Sequence, residues 1–549
     1  MAKIKAGTFI DNDVNVRHIA ASLLAALALM LGLLHGSPVQ AAAPPPVYPI
    51  SGYFIFGSTS DDANLKKLTD IKSVGGDTVI TFGSVVKPTT LAQLPSDCSI
   101  SGVNCVAAAT SDVKVNRYFS YSDGNTWGAP SLACPRDKSV TSGANVYTVM
   151  VIPTQGTGCN SSNGLYDVIF ITSGTASISV SVAKAATSLG MKFYAGMPAP
   201  SKSTTITYVP DLTYQSTFTA FTARFIKFQA KVNNVAGLAG FYHHTEMPVG
   251  NGSVWNATLT VYSIQNSAIA AYMPSRAALI SPYMDTRTDY SAHITVAQAS
   301  AGIRNIAGTA NGVKLAIAVQ DGMGTGKAGS FFSSDSGQQV DAYAASIAGS
   351  GTWGSRYLAP NRDYFYAMAD ALDGTGVQLW GNMEGMAPGT SQNPCDGNYR
   401  GQSTKARHDK QLQQMGNAPV KVISYMWDPF YTCRGTWAPM IDQMKSGAMT
   451  PVITDSIFYG NGDVLVTGQN LSGGTIQVKW TDTYGRVFDK TVTSADFNPG
   501  YGKQTRMNPL LESVTAKLGS TSLGTGKYYF VNVINGSGAR NDATYSDRG

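Results

Sequence analysis

The chain is expected to fold as an α/β protein, a closed (β/α)8 TIM barrel carrying an inserted, disulfide-pinned β-rich lobe and a C-terminal immunoglobulin-like β-sandwich. Three observations predict it. Eight short, almost continuously apolar runs alternate with stretches of helical periodicity between residues 50 and 446, as parallel strands buried on both faces require. That alternation is broken once, between residues 84 and 170, by a segment rich in Ser, Thr, Gly and Asn that holds four of the six cysteines. Beyond residue 450 it gives way to runs of alternating polarity, Asp463 to Thr467, Gly474 to Trp480, Arg486 to Val492 and Lys527 to Val533, separated by Gly, Asn and Ser turns, the pattern of a small antiparallel sandwich.

In order, Ile50 to Gly57 reads as the first strand, and Leu65, Leu68, Ile71 and Val74 as the buried face of the first helix. Asp77 to Gly83 is the second strand. After the lobe come a helix near Ala176 to Leu189, strand three at Met191 to Met197, a helix near Tyr214 to Asn233, and strand four at Leu238 to Met247. A helix around Val254 to Tyr272 precedes strand five, Ala277 to Tyr283. A helix from about Ser291 to Ile306 precedes strand six, Val313 to Asp321. A long loop and a helix near Arg362 to Leu372 lead to strand seven, Leu379 to Met386. Strand eight is Val420 to Asp428, and a last helix covers about Ala438 to Lys445. An open doubly wound sheet is the alternative architecture, but no Gly-x-Gly-x-x-Gly follows the first strand.

At 549 residues the chain exceeds what one core supports. Its expected division is 1-43 signal peptide and leader, 44-449 barrel with the lobe at 84-170 inside it, and 450-549 sandwich. The leader has Lys3, Lys5 and Arg17 ahead of an apolar run from Ile19 to Leu34 and then Ala41-Ala-Ala43. That is the layout of a Sec-type signal rather than of a bilayer span. An extracytoplasmic (secreted or periplasmic) protein, without stable membrane insertion after cleavage, is therefore expected.

The formal charge of +6 falls to +5 without the leader, 37 Lys and Arg against 32 Asp and Glu. So mild and unclustered a charge argues against a nucleic-acid partner and permits an acidic polysaccharide. Six cysteines in an exported chain favour disulfides. Spacing suggests Cys98 with Cys105, Cys134 with Cys159 and Cys395 with Cys433, among fifteen formal pairings. No Cys-x-x-Cys, His-Glu-x-x-His or calcium-loop pattern occurs, so neither a metal nor a cofactor is expected.

Active sites of such barrels lie at the carboxyl ends of the strands. Here those outlets carry His243, His244 and Glu246 after strand four, Tyr283 and Asp285 after strand five, Gln320 and Asp321 after strand six, Asn382 and Glu384 after strand seven, and Trp427 and Asp428 after strand eight. Hydrolysing an acetal needs one carboxyl group to protonate the leaving oxygen and another on the far side of the ring. Glu246 is expected as general acid/base and Glu384 as nucleophile, the remaining outlet residues as substrate-binding groups. Each has a plainer reading. Either Glu could be a buried, paired acid, and Asp321 could cap its Asp-Gly turn. His243 and His244 alternate in direction, so at most one faces the mouth, and Trp380 reads as core. Gly322 to Lys327 lacks the full phosphate-loop pattern and reads as a flexible substrate loop. Ser120 to Trp127 looks somewhat like the Asp-box hairpin of sialidases, although Asp-Gly-Asn between aromatics is also an ordinary turn. In the sandwich, Trp480, Tyr484 and Phe488 read as core before sugar-stacking face.

Gly240-Phe-Tyr-His-His-Thr-Glu246, Ile280-Ser-Pro-Tyr283, Val319-Gln-Asp-Gly-Met-Gly324 and Leu379-Trp-Gly-Asn-Met-Glu384 together resemble the barrel family catalogued as domain of unknown function 4434, over about residues 50 to 446 without the lobe. The resemblance implies a glycoside-hydrolase-like TIM barrel with carboxylates at Glu246, Asp321 and Glu384, and no defined substrate. Thr245 stands where the large glycosidase clan using strands four and seven usually has Asn, which leaves the sugar 2-hydroxyl contact open. The expectation is thus a secreted glycoside hydrolase acting on a polysaccharide. A non-catalytic carbohydrate-binding barrel for exopolysaccharide assembly or surface attachment is the rival, and an adhesin-like structural protein a third.

Overall fold

The computed structural model describes residues 48–156, 158–395 and 400–548. The expected leader lies outside them. Eight parallel strands close into a barrel: β1 (Gly52–Phe54), β2 (Thr78–Ile80), β3 (Lys192–Gly196), β4 (Leu238–Tyr242), β5 (Ala277–Ile280), β6 (Lys314–Gln320), β7 (Gln378–Glu384) and β8 (Lys421–Tyr425). Each pairs with its neighbours in chain order, and Gly52 of β1 pairs with both Thr78 and Ile423, which closes the ring.

A helix follows each strand: α1 (Asp61–Lys72), α2 (Ile178–Leu189), α3 (Gln215–Val232), α4 (Asn256–Tyr272), α5 (Val296–Ala307), α6 (Asn361–Leu372), α7 (Lys405–Met415) and α8 (Met440–Ser446). Local chemistry sets several ends. Ser60 accepts a hydrogen bond from the Ala63 amide at the start of α1, beside Asp61 and Asp62. Thr295 and Gln298 form a capping box on α5. Gly190 ends α2 in the left-handed conformation at φ 66°.

Along each strand alternate side chains fill the barrel. Near the top, Phe54, Phe82, Tyr242 and Tyr425 meet at ring-centroid distances of 5.0 to 6.5 Å. Near the bottom Tyr194 meets Trp380 edge-on at 5.9 Å, so Trp380 is core.

Helix α7 is absent from the periodicity because it has no apolar stripe. Its Lys405, His408, Asp409, Gln411, Gln413 and Gln414 are all buried, since the helix is sandwiched between barrel and C-terminal domain. Gln413 Nε2 donates to the Ala543 carbonyl at 2.7 Å, and Lys405 is paired with Asp409 and Asp542 at 2.8 and 2.9 Å. Helical patterning presumes an apolar stripe opposite a broad wet face, and on α7 only Ala406, Arg407 and Lys410 keep exposure while polar side chains fill the buried faces.

The inserted lobe runs to Gly174 rather than 170. Its six-stranded sheet has the order 199–200, 85–89, 114–123, 165–174, 145–153 and 138–142, so a two-residue strand after β3 ties it back to the barrel. Trp127, fully buried, stacks on Phe221 and Phe228 of α3 at 5.5 and 4.8 Å. In the turn preceding it, Asp123 accepts hydrogen bonds from the Asn125 amide at 3.2 Å and from Trp127 Nε1 at 2.7 Å.

The C-terminal sandwich is two four-stranded sheets, in the orders 452–458, 463–469, 512–517, 495–498 and 487–493, 475–481, 528–534, 545–548. Trp480 is buried against Phe488 at 5.0 Å, whereas Tyr484, expected inside with them, sits on the hairpin tip and is 83% exposed. Phe332 from the loop after β6 joins the sandwich core, edge-on to Tyr545 at 5.3 Å. Three disulfides are formed, Cys98–Cys105, Cys134–Cys159 and Cys395–Cys433, the pairs that spacing suggests. Among the described residues no helix is long and apolar enough to cross a membrane, and no cluster of three or more His, Cys, Asp or Glu could hold a metal ion.

Candidate active site

Beyond the last residue of β4 the chain brings Tyr242, His244 and Glu246 to the mouth. All three line a cavity of about 430 Å³, whose wall also includes Phe82, Tyr208 and Tyr283. A smaller cavity of about 190 Å³ on the other side of Phe82 reaches the lobe turn at Asp123 to Asn125. Glu246 is exposed there and accepts a hydrogen bond from Gln320 Nε2 at 3.1 Å. Its pKa is raised, because the concave aromatic surroundings withhold solvent and the Glu384 charge repels. The Gln320 hydrogen bond and the Lys327 and Lys202 charges pull against that rise. His244 is pushed down by burial and is neutral at neutral pH. Burial also lifts the Tyr283 hydroxyl to about 12, so it stays protonated.

Glu384 is the last residue of β7 and only 5% exposed. The loop after β6 lies on it: the Thr325 amide donates to Oε2 at 2.6 Å and the Thr325 hydroxyl to Oε1 at 3.2 Å. Gly324 makes this approach possible, since a Cβ there would stand 2.5 Å from the Glu384 Cβ and 2.6 Å from the Met386 carbonyl oxygen. Gly322 and Gly326, at φ 65° and 71°, turn the loop at either end. Burial raises the Glu384 pKa, opposed by the Thr325 hydrogen bonds and by Lys327 and Arg400.

Asp321 lies behind Glu384 with no exposure. Its Oδ1 accepts the amides of Met323 and Glu384 at 3.1 and 3.2 Å, and Gln411 Nε2 of α7 donates to its Oδ2 at 3.0 Å and to the Glu384 carbonyl at 3.0 Å. Its pKa is driven well up by burial and by the Glu384 charge. Asp321 therefore holds the Glu384 backbone, and it has no surface with which to bind a sugar hydroxyl. Asn382, expected to touch substrate, is buried one layer lower, donating to the Ser281 hydroxyl at 2.9 Å.

Four expected substrate-binding residues do not reach the mouth. His243 faces outward with no exposure, edge-on to Tyr262 of α4 at 5.5 Å, and burial drops its pKa to about 3. Asp285 is buried in a two-pronged pair with Arg287, at 2.9 and 2.7 Å. Trp427 is buried flat against Tyr431 at 5.5 Å, so it offers no sugar platform. Asp428 is bound to Lys67 of α1 at 2.6 Å. His243, Trp427 and Asp428 are turned away from the mouth by the barrel wall, a choice strand periodicity alone leaves open, and Asp285 is taken by Arg287 of its own loop.

The mouth also contains groups that the outlet rule passes over. Lys202 and Tyr208 come from the segment after β3 and Lys327 from the loop over Glu384, where Lys327 sits over the Tyr283 ring at 5.5 Å. Arg400 donates to the Tyr425 hydroxyl at 3.1 Å. Only Lys327 had a signal, its place at the end of the glycine-rich run.

No family model matches the chain, and no curated protein does. No family model therefore supports the resemblance to domain of unknown function 4434. Among solved structures, a Bacteroides thetaiotaomicron protein assigned as an alpha-L-fucosidase matches at 14% identity and TM-score 0.40, over 75% of this chain and 97% of its own. The endo-beta-1,4-mannanase of Thermotoga petrophila matches at 9% and 0.36, over 92% and 98%. A glycoside hydrolase family 5 protein of Bacteroides vulgatus matches at 9% and 0.35, over 87% and 92%. At such identities and TM-scores the likeness decides neither substrate nor mechanism, and both rest on the chain's own residues.

Proposed function

We propose that the protein is a glycoside hydrolase that cleaves a polysaccharide outside the cytoplasm, with Glu246 as general acid/base and Glu384 as nucleophile. The observation that carries it is the pair of inward-turned glutamates at outlets four and seven, each with a raised pKa and one feeling the other's charge, beside a cavity walled by aromatic rings. In the first step Glu246 gives its proton to the glycosidic oxygen as the Glu384 carboxylate bonds to the anomeric carbon, and the carbon–oxygen bond to the leaving sugar breaks. In the second, Glu246 takes a proton from water, whose oxygen displaces Glu384. The three disulfides support an oxidising compartment.

Release of reducing ends from a panel of polysaccharides tests the proposal directly. Tight binding without release by the wild-type protein would move the assignment to a non-catalytic binding barrel. The cover of Thr325 over Glu384 is the one feature that favours that second reading.

The pH profile has a defined sign. Activity needs Glu384 ionised and Glu246 protonated, so it falls as pH drops through the Glu384 pKa and again as pH rises through the Glu246 pKa. Both are raised, which places the optimum above the ordinary carboxylate value of about 4.3. Gln320→Leu removes a hydrogen bond that favours ionised Glu246. The basic limb of kcat/KM is then expected to move to higher pH while the acidic limb stays; a basic limb that stays or falls assigns the proton donor elsewhere.

A further inference from the structure

Lys202 and Lys327 arrive at the mouth from two different loops, and both charges act on Glu246. Among the described residues neither lysine lies within 4.0 Å of a carboxylate oxygen, whereas Lys67, Lys405 and Lys421 are each paired with an Asp. The half-buried Lys327 sits over the Tyr283 ring, so a sugar stacked on Tyr283 meets its ammonium group. His244, neutral, adds no charge on that side. Lys202 is exposed and Lys327 half-buried, so both ammonium groups keep donor positions free for a group bound beside Glu246.

We propose that Lys202 and Lys327 form an anion subsite, and that the mouth selects a glycan bearing a carboxylate or a sulfate ester on the unit next to the bond at Glu246. This selection deepens the hydrolase reading of the same site and rests on it for the word substrate, but it is tested by binding alone. Each lysine contributes a charge-assisted hydrogen bond to the anionic group, which a neutral sugar cannot return.

Retardation in native gels measures it. The polymers are polygalacturonate against its carboxyl-reduced form, and dextran sulfate against dextran, with Glu384→Gln protein so that hydrolysis does not intervene. The expected result is tighter binding to one charged member than to its neutral partner, with the pair that shows it identifying carboxylate or sulfate. Lys202→Ala and Lys327→Ala should each weaken charged binding about tenfold and leave neutral binding unchanged, with the melting temperature held. Lys202→Glu should weaken it further. Equal retardation by both members of each pair, none by either charged polymer, or an undiminished charge preference in the double Ala variant overturns the proposal. Hydrolysis of neutral glycans without any charge preference would leave the hydrolase reading standing and remove only this one.

Discussion

Glu384→Gln is expected to reduce reducing-end release by roughly 10³-fold, within the range a positioned carboxyl contributes, while the melting temperature holds or rises. The stability half follows from the surroundings. Burial raises the Glu384 pKa, so the folded protein bears a cost in keeping the group ionised. An amide of the same shape still accepts from the Thr325 amide, and its NH2 can donate to the Thr325 hydroxyl. Loss of activity together with a large drop in melting temperature would make Glu384 a structural acid. Full activity in the variant would remove it as nucleophile. Glu246→Gln should lose 10²- to about 10⁴-fold, with the melting temperature held or raised, because its raised pKa makes the ionised form a cost to the fold here too.

Arg224→Ala is the largest expected loss of stability, about 3–5 kcal/mol, because it strands a buried charge. Arg224 of α3 donates through one nitrogen to both oxygens of Asp137 at 3.0 Å, and the Asp137 carboxylate has no exposure. Asp137 also accepts the Ala133, Cys134 and Val151 amides at 2.9, 2.7 and 3.1 Å, so it knots the lobe's own chain while Arg224 ties that knot to the barrel. Calorimetry should show the lobe's transition moving down. The double variant Arg224→Met with Asp137→Asn should recover part of the loss: no uncompensated charge remains, but the Asn NH2 then faces a backbone N–H that Asp137 had accepted. If the single and double variants are equally unstable, the pair's geometry rather than its charge holds the lobe.

Much of the fold is legible along the chain. The apolar runs at Val313 to Asp321 and Val420 to Asp428 are read as strands from composition and spacing, and both are barrel strands in the structure. The missed helix, α7, shows where legibility ends. Its buried Gln411 and Gln413 donate to Asp321 and to the Ala543 carbonyl, and Lys405 pairs with Asp409 and Asp542; hydropathy cannot register polar side chains buried by such contacts. At the site the same boundary appears residue by residue. His243 and His244 are indistinguishable as letters, and only barrel closure sends one against Tyr262 and the other into the cavity. Trp427 and Asp428 stand at an outlet by count, yet they leave β8 toward α1 and Tyr431.

The sequence by itself determined the barrel, the lobe, the sandwich and two glutamates at opposed outlets, because strand length, period and outlet position are local properties of the chain. Tertiary structure alone decided that Asp321 supports Glu384 instead of touching sugar, that Thr325 covers Glu384, and that the charges of Lys202 and Lys327 both act on Glu246. Those outcomes depend on contacts between residues tens to hundreds of positions apart, and a one-dimensional pattern records neither their distances nor the solvent that closure excludes.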